Sequence, residues 1–370
     1  MRLSGSIRSA LVERQYALGL CAAIAILAGC SGSQSALRTP GPIQQSVVRG
    51  SVVIREKGAN PDAPSGLSPA DLQSAYDLPS TRKGSGQIVA VVEPYDNPDV
   101  ASDLAKYRST FGLPKANFTK YNQDGVQGNY PEGSPSWGIL HDLDVDMVSA
   151  SCPNCTIYLI EANSTAVADL EAATAEAVTL GAHVISLGFG CSTSCEKSYF
   201  DAKGVTYLAP GSDTGSAGGY PDGFSSVVSS GGTMLTQGDG KRGWSEAVWS
   251  GWGGGCVTGA PKPRWQPDSY CEYRLTNDVA SVAVNLAEYD TYDQSGWFEV
   301  DSTYATAPFL AGVFGLAGNA TKQDGGRTFW QSAHRKDLYP VTAGDSVCKY
   351  VHGPYNTCTG WGSPHGIGAF

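Results

Sequence analysis

Short apolar runs alternate with amphipathic stretches along most of the chain. Gln87 to Glu93 (QIVAVVE) is near-continuously apolar and predicts a buried strand. Val100 to Phe111 has helical spacing. Trp137 to Ala150 predicts a second helix, capped by Ser134 or Ser136. Thr156 to Glu161 predicts a strand, and Ala166 to Leu180 an Ala-rich helix stopped by Gly181. Ala182 to Leu187, Val205 to Ala209 and Ser226 to Ser229 predict three further short strands. Thr306 to Ala317 predicts a small-residue helix with Pro308 in its first turn. Upstream, Ser68-Pro69-Ala70-Asp71 predicts a short helix with a Ser cap and Pro at its first position. Apolar strands separated by helices predict an α/β fold whose mostly parallel sheet is covered on both faces. In such sheets, chemistry gathers at the carboxyl ends of strands and at helix N-termini.

The first 66 residues do not follow this rhythm. Arg2, Arg8 and Arg14 precede an apolar run of about 13 residues, Tyr16 to Ala28, too short to span a bilayer. Residues 1–29 therefore predict a secretory signal. Leu27-Ala28-Gly29-Cys30 resembles the lipobox of bacterial lipoproteins, which implies lipidation at Cys30. A plain signal peptide with a chance Cys is the alternative. Residues 30–66 predict a tether and arm, of which Ser51-Val52-Val53-Ile54 is expected to add one edge strand. The folded domain is expected over 67–370. These readings place the chain outside the cytoplasm as a cell-envelope lipoprotein, with full secretion as the alternative.

Composition narrows the function classes. Apolar residues make up 41 % of the 370, enough for a core, while charged residues are only 16 %. The 46 Gly and 21 Pro predict many turns and long loops. The formal net charge of −10 becomes −12 once residues 1–29, with three Arg and one Glu, are removed. That acidity argues against a nucleic-acid partner. A monomer is expected. Of ten Cys, Cys21 lies in the signal and Cys30 at its end. The other eight fall as neighbours: Cys152 and Cys155, Cys191 and Cys195, Cys256 and Cys271, Cys348 and Cys358. An even count in an exported chain predicts disulfides, although eight Cys allow 105 connectivities. A zinc or redox role for Cys152-Pro153-Asn154-Cys155 is disfavoured by the lack of a second such pair and by only five His.

Several blocks together resemble the sedolisins, the serine-carboxyl peptidases. They are Ser68 to Tyr76, Gly84 to Val92, Asp142 to Cys155, Ile160 to Asn163, Gly231 to Thr233, Gly243 to Glu246, Trp249 to Gly251, Pro308 to Asn319, Gly360 to Pro364 and Gly368 to Phe370. The resemblance covers about residues 67–370. It implies a subtilisin-like three-layer α/β fold with a central seven-stranded, mostly parallel sheet. It also implies hydrolysis of peptide bonds at acidic pH.

The chemistry implied needs four groups. A Ser at a helix N-terminus attacks, a Glu takes its proton, an Asp four residues on supports the Glu, and a separate Asp serves the oxyanion. Here the nucleophile motif reads Ser302-Thr303-Tyr304-Ala305-Thr306-Ala307-Pro308, so Tyr304 stands for the Ser. The helix reads Trp137-Gly-Ile-Leu140-His-Asp-Leu-Asp144, so Leu140 stands for the Glu while Asp144 is kept. Asp213, in Gly211-Ser212-Asp213, matches the oxyanion Asp. A phenol with pKa near 10 is protonated at acidic pH, and Leu accepts no proton. The expectation is a peptidase homologue without catalysis that keeps a cleft for peptides or unfolded protein segments. The alternative is an active acid peptidase using displaced groups.

Neighbouring side chains are read conservatively. Ser302 and Thr303 are expected to cap the following helix rather than replace the nucleophile. Asp142 and Asp146 are expected to be solvated, and His141 to be a lone surface residue. Glu93, at a strand end, stands where subtilisins carry an Asp and is given a weak role. The family's calcium site is expected to be lost, because Pro340 and Asn356 stand at its ligand positions, so no cofactor is expected. Calcium wants several hard oxygens, usually carboxylates.

Overall fold

A computed structural model describes residues 47–48, 53–55 and 62–370, except 192–194, 214–217, 252, 293, 332–334, 343 and 345–346. The signal segment and Cys30 lie outside the described residues. The chain divides into Met1–Ile43 and Gln44–Phe370, and every described residue belongs to the second unit.

Seven strands run parallel in one sheet. In spatial order they are Asn117–Asn122, Thr156–Ala162, Ile88–Pro94, Val184–Leu187, Thr206–Pro210, Val227–Gln237 and Val279–Val282. An eighth, Trp244–Val248, runs antiparallel to the distal half of Val227–Gln237. The subtilisin-like α/β expectation therefore holds, with one antiparallel strand added. Val227–Gln237 is far longer than the predicted Ser226–Ser229. Gly231 and Gly232 in its middle are not a break. A Cβ at Gly231 would lie 2.1 Å from the Cys358 carbonyl oxygen, and one at Gly232 2.9 Å from Ala283 Cβ. Neighbouring backbone and side chain approach too closely for any larger residue.

Alternation along Ile88–Pro94 sets the layers. Val89 and Val91 pack into the core that holds residues of α1 (Pro69–Ala75), α3 (Pro135–Ser151) and α5 (Thr306–Ala317). Ala90 and Val92 point the other way, against α4 (Val167–Thr179). Two apolar faces and two helix layers make the three-layer arrangement. By the same parity Glu93 belongs to the α3 and α5 side.

Local signals act as expected. Ser68 and Asp71 form a capping box on α1, with Pro69 at its first position. Gly181 and Gly318 take left-handed φ of 87° and 69° just past α4 and α5, as helix-ending glycines do. The arm contributes Val53–Arg55, which pairs antiparallel with Glu299–Asp301. That is the expected edge strand, shifted toward Arg55. The four disulfides join the sequence neighbours 152–155, 191–195, 256–271 and 348–358. Among the described residues no helix is long and apolar enough to cross a membrane.

The hairpin of Leu286–Asp290 and Gly296–Asp301 has no counterpart among the predicted elements. It and α2 (Val100–Thr110) pack against α3, which also meets α1 and α5. Consequently nearly all of α3 is buried. This corrects two expectations: Asp142 and Asp146 are 1 % exposed and His141 is 0 % exposed. A helix covered on every side has no solvated face, whatever its sequence pattern suggests.

Candidate active site

Four elements converge at the carboxyl end of the sheet. The strand Ile88–Pro94 brings Glu93, α3 brings Leu140 and Asp144, the segment after Thr206–Pro210 brings Asp213, and the turn before α5 brings Ser302, Thr303 and Tyr304. Each arises for a local reason. Spacing of four puts Leu140 and Asp144 on one helix face. Ser302 is extended and its Oγ accepts from the Tyr304 N–H at 3.1 Å, capping the Thr303–Ala305 turn that leads into α5. Ser302 thus caps this short turn and not α5, whose cap position is Ala305 with no side-chain bond, and Thr303 has another task.

Asp213 is the anchor of that task. Its carboxylate accepts from Ser302 Oγ at 2.9 Å, from the Thr303 N–H at 2.8 Å and from Thr303 Oγ1. Thr303 Oγ1 also lies 2.8 Å from the Gly211 carbonyl oxygen. Burial raises the Asp213 carboxyl to about 6 from 3.8, although these three donors pull it down. Both hydroxyls that flank Tyr304 are therefore engaged with Asp213.

Tyr304 is 5 % exposed. Burial pushes its phenol well up, and Asp213, Glu93, Asp222 and Asp144 push it further, so the hydroxyl keeps its proton at any physiological pH. Leu140, 1 % exposed, lies in the same apolar cluster as Tyr304. No side-chain base stands at that helix position.

Glu93 and Asp144 meet behind these residues. Both are fully buried, and each carboxyl lies close enough to raise or bond the other. Neither accepts a hydrogen bond from an N–H or hydroxyl among the described residues. Burial raises both, so the pair holds protons where free carboxyls would not. Gly188 makes room: a Cβ there would sit 1.4 Å from Glu93 Oε1. The partnership of Glu93 with Asp144 was not legible in the sequence, since only the parallel pairing of its strand with Val184–Leu187 and the approach of α3 bring it there.

A second polar group lies beside this one, joining His141, expected at the surface, to Glu161. His141 Nε2 donates to the Pro94 carbonyl at 3.2 Å, and burial drops its pKa to about 3. Its Nδ1 lies 4.0 Å from Glu161, which burial lifts to about 9 despite Lys120 at 3.5 Å. Glu161 is the penultimate residue of the strand next to that of Glu93, in register with it. Two glutamates at matching strand ends were the signal available.

At one of the two calcium positions that the resemblance implies, Asn356 Oδ1 accepts from the Cys358 N–H at 2.8 Å, inside the loop closed by Cys348–Cys358.

No family model matches the chain. Over 358 residues it is 27 % identical to kumamolisin of Bacillus sp. (strain MN-32), a match spanning 82 % of this chain and 63 % of that protein. The chain thus spans under two thirds of this relative. Its fold is similar to that of Pseudomonas sedolisin, a serine-carboxyl proteinase solved with two molecules of pseudo-iodotyrostatin. The TM-score is 0.68 at 21 % identity, covering 82 % of this chain and 96 % of that one. Sphericase is a more distant likeness, with a TM-score of 0.52 at 16 % identity over 81 % of this chain and 97 % of its own. The chain has the subtilisin-like fold of the sedolisins.

Proposed function

We propose that this chain is an exported sedolisin-family homologue that no longer hydrolyses peptides and uses the remaining cleft to bind peptides or unfolded protein segments. One observation carries the reading. The nucleophile position holds a buried, permanently protonated Tyr304, while the hydroxyls beside it, on Ser302 and Thr303, are committed to Asp213. The base position holds Leu140. Groups that act together in catalysis lose several orders of magnitude in rate when one is removed, and here two are replaced. Asp144 and Asp213 keep structural tasks, the first against Glu93 and the second as the acceptor that locks the turn before α5.

Export, lipidation at Cys30 and loss of the calcium site belong to the same reading. Four disulfides suit an oxidising compartment. Pro340 and Asn356 offer no carboxylate where calcium would need one. The test is incubation with an unfolded protein from pH 3 to 7, beside the double variant Leu140→Glu with Tyr304→Ser. Inert parent and active double variant support the proposal; specific cleavage by the parent refutes it.

The Glu93–Asp144 pair favours one second reading. Two carboxyls sharing a proton can serve as a combined acid and base that activates water, as in aspartic proteases. Their complete burial beneath Tyr304 and Leu140 weighs against this reading.

A further inference from the structure

A wall of carboxylates lies apart from Tyr304, where α2, α3 and the Leu286–Asp290 strand meet. The strand's alternation sends Leu286, Glu288 and Asp290 inward, while Ala287 and Tyr289 pack against Trp297. Asp142 and Asp146, four apart on α3, face that strand, and Asp103 comes from α2. One oxygen each from Asp103, Asp142 and Asp290 lies within 4.8 Å of the other two. All three side chains are at least 98 % buried.

We propose that Asp103, Asp142 and Asp290 bind one calcium ion. Calcium takes oxygen ligands at about 2.3–2.6 Å, so oxygens up to roughly 5 Å apart can share one ion. The ligands are held in place by their neighbours. Asp103 accepts from the Thr291 N–H and Oγ1, both at 2.8 Å, and Asp142 Oδ2 accepts from Asn97 Nδ2 at 2.7 Å. That leaves Asp142 Oδ1 without a partner among the described residues, and it is buried.

Independent groups point to the same place. Glu288 and Asp146 are 0 % and 1 % exposed, and none of their four carboxyl oxygens has a hydrogen-bond partner among the described residues. Both stand near enough to Asp142 for carboxylates there to repel, and Glu288 also near enough to Asp290. Arg108, the cation whose field reaches Asp146, gives its donors to Ser149 Oγ and to the Pro114 and Pro153 carbonyls. Burying this much negative charge without a cation is strongly unfavourable. A divalent ion removes the repulsion, and an irregular set of carboxylates suits calcium better than magnesium, which demands an octahedron. Thr291, which bonds Asp103, is exposed.

The test is calorimetric titration of the full chain with calcium chloride at pH 7, after dialysis against chelator. The parent is expected to bind calcium, and Asp142→Asn and Asp103→Asn to bind it at least tenfold more weakly. With chelator present, each Asn variant is expected to melt no lower than the parent, since each removes one repelling charge. Calcium should raise the melting temperature of the parent only. If a variant fails to fold, terbium luminescence sensitised by tryptophan and displaced by calcium gives the reading on the parent alone. No calcium binding by the parent overturns the proposal. So does binding that is unchanged in both variants, which would place the ion elsewhere.

Discussion

Glu93 and Asp144 form a fully buried carboxyl pair, one from the central strand and one from α3. Neither has a hydrogen-bond donor of its own among the described residues.

Acid should stabilise the chain. Asp213, Asp222 and Glu161 are raised to about 6, 7 and 9, mainly by burial, from ordinary values of 3.8, 3.8 and 4.5. A carboxyl raised in the folded state contributes stability that is complete below its unfolded pKa. That contribution is lost as pH rises through the folded value. His141, lowered to about 3, acts the other way: the stability it contributes is present at neutral pH and is lost below about 6.5 toward 3. Three carboxyls outweigh one imidazole, so thermal melts in chelator should peak near pH 3 to 4 and fall toward pH 8. A maximum at pH 8 contradicts this.

Asp213 should carry a separable share of that curve. Asp213→Asn removes the carboxylate that accepts three hydrogen bonds, and should cost about 1–3 kcal/mol. It should also flatten the melting curve between pH 4 and 6, where Asp213 titrates. Denaturant melts at pH 4.5 and pH 7 measure both, and an unaltered slope counts against the assignment.

Leu140 and Tyr304 should behave as core residues. Leu140→Ala should cost about 2–5 kcal/mol. Tyr304→Phe, which keeps the ring volume, should cost under about 1.5 kcal/mol. Leu140→Glu should destabilise more at pH 7 than at pH 4, because it adds a third carboxyl beside Glu93 and Asp144. Urea melts at both pH values give the comparison, and equal losses would mean the new carboxyl reaches solvent.

Anchoring is tested by detergent-phase partitioning. Lipidation at Cys30 predicts that the chain enters the detergent phase and that Cys30→Ser moves it to the aqueous phase. Aqueous behaviour of both would leave a plain signal peptide.

The scaffold was legible because its signals are local. The run QIVAVVE, the Ser68 cap and the Gly181 stop each report on a few adjacent residues. Position within the matched blocks singled out Tyr304, Leu140, Asp144 and Asp213, which the structure brings to one end of the sheet. What could not be read was mutual. Asp142 and His141 looked like surface residues because a helix sequence does not say what covers it. The covering hairpin, with Glu288 and Asp290 in a strand of mixed polarity, shows no apolar alternation to announce burial. Glu93 and Glu161 gain meaning only from the register of neighbouring strands.

The most direct measurement is digestion of an unfolded protein by the purified chain across pH 3 to 7, with products read by mass spectrometry. The account predicts no specific cleavage at any pH. Cleavage that survives Tyr304→Phe but vanishes in Asp144→Asn or Asp213→Asn would contradict it.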